Sequence, residues 1–179
     1  METVKSKEEK RRLLDFAYRA LSSLFDSGAL EIPESDTECG AFVTLRKKGA
    51  LRGCIGYMVA IAPLYKMIAS LVRDAAFNDY RFPPLRKEEV KDISIEISLL
   101  SPMRRIESLD EFTLGRDGLL MSLNGRRAVF LPSVATETGW DERTFLEELS
   151  MKAGLERNAY KNPGAAFDIF QAEVISDEM

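Results

Sequence analysis

The stretch Ala41-Phe-Val-Thr-Leu-Arg-Lys47-Lys48-Gly49-Ala50-Leu-Arg-Gly-Cys-Ile-Gly-Tyr57 decides the fold. Ala41, Val43 and Leu45 alternate with Phe42, Thr44 and Arg46. Beyond Lys47-Lys48-Gly49, Leu51, Gly53 and Ile55 alternate with Arg52, Cys54 and Gly56. A period of two marks a strand with one buried face, and two such runs around a short polar break ending in glycine make a β-hairpin. A three-residue loop with Gly49 in the left-handed conformation pairs Leu45 with Leu51, Thr44 with Arg52 and Phe42 with Cys54. That register sets Cys39 opposite Tyr57, too far from Cys54 for a disulfide.

Outward from the hairpin the period changes to that of helices. Ser6 and Glu9 form a capping box, Leu13 to Phe25 carry an apolar stripe, and Gly28 is placed to end the run. The basic residues Lys5, Lys7, Lys10, Arg11 and Arg12 at its start read as a solvated face. Pro63 opens a second helix reaching about Phe77, and Pro83-Pro84 force the chain out of it. Ile93, Ile95, Ile97 and Leu99 alternate as a strand. Asn124-Gly125 joins two more, Asp141 to Lys152 is a third helix stopped by Gly154, and Phe167 to Ile175 is a closing strand. Helices separated by hairpin-joined strands define an α+β fold, a mainly antiparallel sheet with flanking helices.

Composition narrows the chemistry. The 179 residues suit one domain, 45% are hydrophobic and 30% charged, and the net charge is −4, which supplies no global positive field for nucleic acid. There is no histidine, which excludes Ser-His and Cys-His relays within the chain and histidine-containing zinc sites. Two cysteines are too few for a thiolate metal cage, so no metal is expected, and they suit a reducing compartment. Nucleotide- and cofactor-binding fingerprints such as GxGxxG and GxxxxGK[ST] are missing, so no cofactor is expected. The charged N-terminal residues do not read as a signal peptide, and the longest uncharged stretch, around Gly53 to Tyr65, is too short to span a membrane. The expected location is the cytoplasm.

Two glycines within one strand mark a place where a backbone or a ligand comes close. Alternation puts Leu51 and Ile55 on the core face, and Arg52 and Cys54 together on the other, where a guanidinium would favour the thiolate. The alternative is a buried structural cysteine beside glycines that let a helix pack. Glu96, by the same parity, joins that face if both strands share a sheet, as a base or as a partner for Arg52. Its alternative is an exposed ion pair. Asp79 and Arg81 either line a cleft or brace a proline-fixed loop. Trp140 reads as core, and the adjacent pairs Glu88-Glu89 and Glu147-Glu148 receive no role because neighbours on a helix diverge.

These motifs together, Leu51-Arg-Gly-Cys-Ile-Gly56, Asp79-x-Arg81-Phe-Pro-Pro-Leu85, Ile95-Glu-Ile-Ser98, Gly115-Arg-Asp-Gly-Leu119 and Lys152-Ala-Gly-Leu155, resemble the AMMECR family from about Ala17 to Val174. Ser133 and Tyr160 depart from its pattern, where glutamine and tryptophan are common. The resemblance implies a two-lobed single domain with a central cleft near Cys54. It also implies association with Memo-type, dioxygenase-like and radical-SAM proteins, but no reaction. The candidate catalytic residues are then Cys54 and Glu96, and the candidate ligand-binding residues Thr44, Arg52, Gly53, Gly56, Asp79 and Arg81. Three functions follow: an adaptor or accessory subunit for those partners; an enzyme using Cys54 as nucleophile or redox thiol on a small or nucleotide-like molecule; and an RNA-binding protein drawing on Arg46-Lys47-Lys48, Arg104-Arg105 and Arg126-Arg127.

Overall fold

The computed structural model describes residues 6–178, so Lys5, the residues before it and Met179 lie outside the description. The chain divides into two compact units, the second being Pro102–Ala172 and the first comprising the described residues on either side.

The first unit contains α1 (Lys7–Ser23), the hairpin β1 (Ala41–Lys47) and β2 (Ala50–Tyr57), α2 (Leu64–Phe77), a 3-10 turn at Lys87–Asp92 and β3 (Ile93–Leu100). The capping box is present: the Glu9 N–H donates to Ser6 Oγ at 3.2 Å and the Ser6 N–H to Glu9 Oε2 at 2.8 Å. The helix stops well before Gly28, because Ser23 Oγ donates back to the Ala20 carbonyl and the Leu24 N–H to Leu21, closing the last turn without glycine. Leu13, Phe16 and Leu21 of α1 and Met67, Ile68, Leu71 and Val72 of α2 pack on Ala41, Val43, Leu45, Ile95, Ile97 and Leu99. One face of the sheet is thus covered by both helices.

The hairpin corrects the expected register. Its turn has two residues, Lys48 and Gly49, with φ of 51° and 83°, and Lys47 pairs with Ala50. A turn with two left-handed residues matches the twist of the strands, but a lysine there gives no signal in the sequence. A bulge follows: Arg46 faces Leu51 while Leu45 faces Gly53, which leaves Arg52 as the extra residue. Alternation reverses across it. Leu51 therefore turns to solvent rather than to the core, Thr44 faces Cys54 rather than Arg52, and Phe42 faces Gly56 rather than Cys54.

The second unit holds β4 (Arg104–Ile106), β5 (Gly118–Leu123), β6 (Arg126–Phe130), α3 (Ser133–Thr138), α4 (Glu142–Lys152) and β7 (Ala166–Phe170). Its sheet runs β4-β7-β5-β6. Asn124 and Gly125, at φ 51° and 76°, make the expected tight turn, and Asp141 caps α4 by accepting from the Thr144 N–H at 2.8 Å. Leu119, Met121, Phe145 and Leu149 form its core, with Trp140 resting on Phe130. β4 and α3 escape sequence reading: the first is three residues held by pairing with β7, and the second is a short run without an apolar stripe.

The expected closing strand is two strands. The chain leaves β7, passes Gln171 and returns to the first sheet as β8 (Ala172–Ile175), giving the order β2-β1-β3-β8. The fold is α+β with two antiparallel sheets and flanking helices, as the periodicity predicts.

Candidate functional site

The site is built on the sheet face turned away from α1 and α2. Thr44 in β1 faces Cys54 on β2 and Glu96 on β3, so a carboxylate, a hydroxyl and a thiol line up across three adjacent strands. Strands lie ~4.8 Å apart, which makes these cross-strand neighbours. Thr44 Oγ1 donates to Cys54 Sγ at 3.3 Å, and Arg46 Nε lies 4.0 Å from Glu96 Oε2. Parity thus brings Glu96 and Cys54 to one face, with Thr44 between them.

β2 is the edge strand, and the backbone groups of Cys54 point off that edge. Asp79, buried just beyond α2, accepts the Cys54 N–H at 2.9 Å through Oδ2. Arg81 grips the same carboxylate, Nε to Oδ1 at 2.9 Å and Nη2 to Oδ2 at 2.7 Å, and Nη2 also donates to the Cys54 carbonyl at 3.3 Å. The acid–arginine pair stands where a further strand would hydrogen-bond, which closes the edge to pairing at this point. The hydrogen bonds from Arg81 hold the Asp79 carboxyl down at about 2, against the opposing effect of its burial.

Arg52 does not lie beside the thiol. As the bulged residue it reaches the 3-10 turn before β3, where Nε and Nη2 donate to Glu89 Oε1 and Oε2 at 3.2 and 3.0 Å. Lys47 Nζ donates to Glu89 Oε1 at 2.9 Å and the Arg86 N–H to Oε2 at 3.0 Å. These bonds, led by those from Arg52, lower the Glu89 carboxyl to about 2. Adjacency to Glu88 suggests no role for Glu89, yet it anchors the hairpin to the turn. The signal for it lies in the sheet: Lys47 pairs with Ile93, which sets the turn before β3 beside the hairpin end.

The glycines are small for packing reasons. A Cβ on Gly53 would fall 2.1 Å from the Ala75 carbonyl oxygen of α2, and one on Gly56 would fall 2.3 Å from the Phe42 ring. The close approach expected near Cys54 is therefore made by a helix backbone and by an aromatic side chain of the same sheet.

Burial pushes the Cys54 thiol above its ordinary range. The Thr44 hydrogen bond and the Arg81 charge pull it back only in part, while Asp79 and Glu96 push it further up. Neither cysteine forms a disulfide, and Cys39 is buried. Alkylation of Cys54 by iodoacetamide is accordingly expected to be slow at pH 7, with its half-maximal rate above the free-thiol value of ~8.5. A rate profile centred below pH 8 would contradict this.

Four of the seven basic residues that suggest RNA lie against carboxylates. Arg46 lies against Glu96, Lys47 against Glu89, Arg104 against Glu111 and Arg105 against Asp168. Among the described residues no group of three or more Cys, Asp or Glu side chains is placed to hold a metal ion, and no helix is long and apolar enough to cross a membrane.

Two antiparallel sheets with helical cover, and a Leu-Arg-Gly-Cys-Ile-Gly edge strand clasped by Asp-x-Arg-Phe-Pro-Pro, define the class as the AMMECR type of α+β protein. The AMMECR1 family model matches residues 5–175, and the chain belongs to that family. It is 37% identical to a protein of Methanothermobacter thermautotrophicus over 97% of this chain and 96% of that one, and 35% identical to a Thermococcus gammatolerans protein over 93% and 89%. The crystal structure of uncharacterized protein PH0010 from Pyrococcus horikoshii superposes with a TM-score of 0.85 at 32% identity, covering 94% of this chain and 91% of that one.

Proposed function

We propose that the chain is a docking or accessory protein, and that the Cys54 face serves recognition rather than nucleophilic chemistry. The observation that carries this reading is the setting of the thiol: it is largely buried, which disfavours its ionised form, and the guanidinium that acts on it is bonded to Asp79. A nucleophile needs the opposite arrangement, a lowered thiol pKa or a free base within reach.

Tyr80 supports a recognition role. It stands between Asp79 and Arg81, whose side chains are fixed on the Cys54 backbone, and is itself 96% exposed. A large aromatic ring held out from a braced backbone suits an interface anchor, because the backbone that carries it has little freedom left to lose on binding. The partners implied by the family resemblance are Memo-type and radical-SAM proteins, whose metal centres would then carry the chemistry.

Co-expression of the tagged chain with each of those partners tests the proposal. Recovery of a partner is expected with the wild type and to fall about tenfold with Tyr80→Ala, a loss of ~1.4 kcal/mol in binding, while the melting temperature stays unchanged. Recovery of neither partner, or equal recovery with the variant, counts against it.

A further inference from the structure

The loop between β2 and α2 has no account in the site described above. Residues 53–65 contain no charged side chain, in a chain that is 30% charged. Within them Tyr57, Val59 and Ile61, at alternate positions, are 37%, 58% and 57% exposed. Single exposed apolar residues are ordinary, but three at alternate positions, from the end of β2 into one short uncharged loop, are clustered in the way that marks an interaction site.

The loop is braced from one side by the segment that leads into β1. A Cβ on Gly40 would fall 2.4 Å from the Met58 carbonyl oxygen, and the Leu64 N–H donates to the Thr37 carbonyl at 3.0 Å. That bracing segment is acidic: Glu31, Glu34, Asp36 and Glu38 are all exposed. Among the described residues none of the four shares an ion pair, in contrast to Glu89, Asp117 and Glu147, which are held by arginines. Asp36 and Glu38 flank Thr37 and, at no more than ~3.5 Å per residue, lie within a screening length (~10 Å) of its contact with the loop.

We infer that the loop Tyr57–Ile61 with its acidic flank is a docking surface for a protein that presents an apolar cleft rimmed by lysine or arginine. The inference rests on the docking role proposed above and supplies the chemistry of the partner's face. The carboxylates select among occupants. An anionic membrane surface would be repelled by them, and a second copy meeting this patch across a two-fold axis would set the same carboxylates against each other. A basic-rimmed cleft buries the three apolar side chains and pairs the flank at once.

The test uses the purified chain and a synthetic amphipathic helical peptide with a leucine seam flanked by lysines, followed by fluorescence anisotropy. Binding is expected that weakens as salt rises, falls at least tenfold with Val59→Ser/Ile61→Ser, and loses most of its salt dependence with Glu34→Gln/Asp36→Gln/Glu38→Gln. All five side chains are exposed, and unchanged melting temperatures confirm that the variants fold. Absence of wild-type binding, equal binding by the variants, or equal binding of a peptide with glutamates in place of the lysines overturns the inference. So does binding to phosphatidylserine vesicles that depends on Val59 and Ile61, which would make the surface a membrane contact. A concentration-dependent dimer dissolved by the same substitutions overturns it likewise. Because the peptide measurement uses the chain alone, its failure with the Tyr80→Ala effect intact removes this surface only, whereas loss of the Tyr80→Ala effect with peptide binding intact removes the proposed role of the Cys54 face.

Discussion

Gly53→Ala is expected to destabilise the protein by about 3 kcal/mol or more, the upper part of the range for overpacking a well-filled core. The added methyl would fall 2.1 Å from the Ala75 carbonyl oxygen and 3.0 Å from its carbon, and both atoms belong to a helix backbone that has no rotamer to change. Relief requires α2 to move. That helix carries Leu64, Met67, Ile68, Leu71 and Val72 into the core, so displacement disturbs the packing of the whole unit. Gly28→Ala is the control: nothing lies within 4 Å of the added atom, its backbone is not left-handed, and the change should be neutral or slightly stabilising. Urea unfolding of both variants checks this. A Gly53→Ala midpoint equal to the wild type would show that α2 does not sit on β2 as described.

Glu89→Ala should cost ~3–5 kcal/mol, the price of removing one partner from a buried ion pair. The Arg52 side chain is only 11% exposed and would keep its charge with little access to water and without its carboxylate partner. Substituting Arg52→Met together with Glu89→Leu should recover most of the loss, since an apolar pair of similar volume leaves no uncompensated charge. The pair also sets an acid limit. Glu89 titrates at about 2 in the folded protein against an ordinary 4.5, and Asp79 at about 2 against 3.8. A carboxyl whose folded pKa lies below its unfolded one stabilises fully above the unfolded value and loses that contribution as the pH falls towards the folded one. Wild-type stability should therefore decline between about pH 4.5 and 2, and the decline should be shallower in Glu89→Gln. Equal slopes would remove Glu89 as a source of acid lability.

The hairpin, β3, α1 and α2 are legible in the sequence because each buries one face, and burial of one face writes a period of 2 or 3.6 into the residues. The alignment of Glu96 with Cys54 follows from that same parity and a shared sheet. What parity cannot reveal is an inserted residue. Lys48 takes a left-handed conformation that its side chain does not announce, and Arg52 is the bulge that restores the pairing, so every partner beyond it moves. The inserted residue also decides the chemistry, since it sends Arg52 to Glu89 rather than to the sulfur. Arg81 escaped as the cation of the site because its link to Cys54 runs through the strand's backbone, which no side-chain pattern encodes. The break at Gln171 is hidden for a related reason: β7 and β8 are both extended, and nothing in their alternation tells that they belong to different sheets.

That divided strand has a consequence for biosynthesis. β8 follows the whole second unit in the chain yet lies beside β3 in the first sheet. While a ribosome is still translating residues 102–172, the nascent first unit has its helices and hairpin but leaves one flank of β3 uncovered, and an open flank of this kind invites mispairing. Completion of the first sheet thus waits until the whole second unit has been synthesised, although most of the first unit's residues precede it.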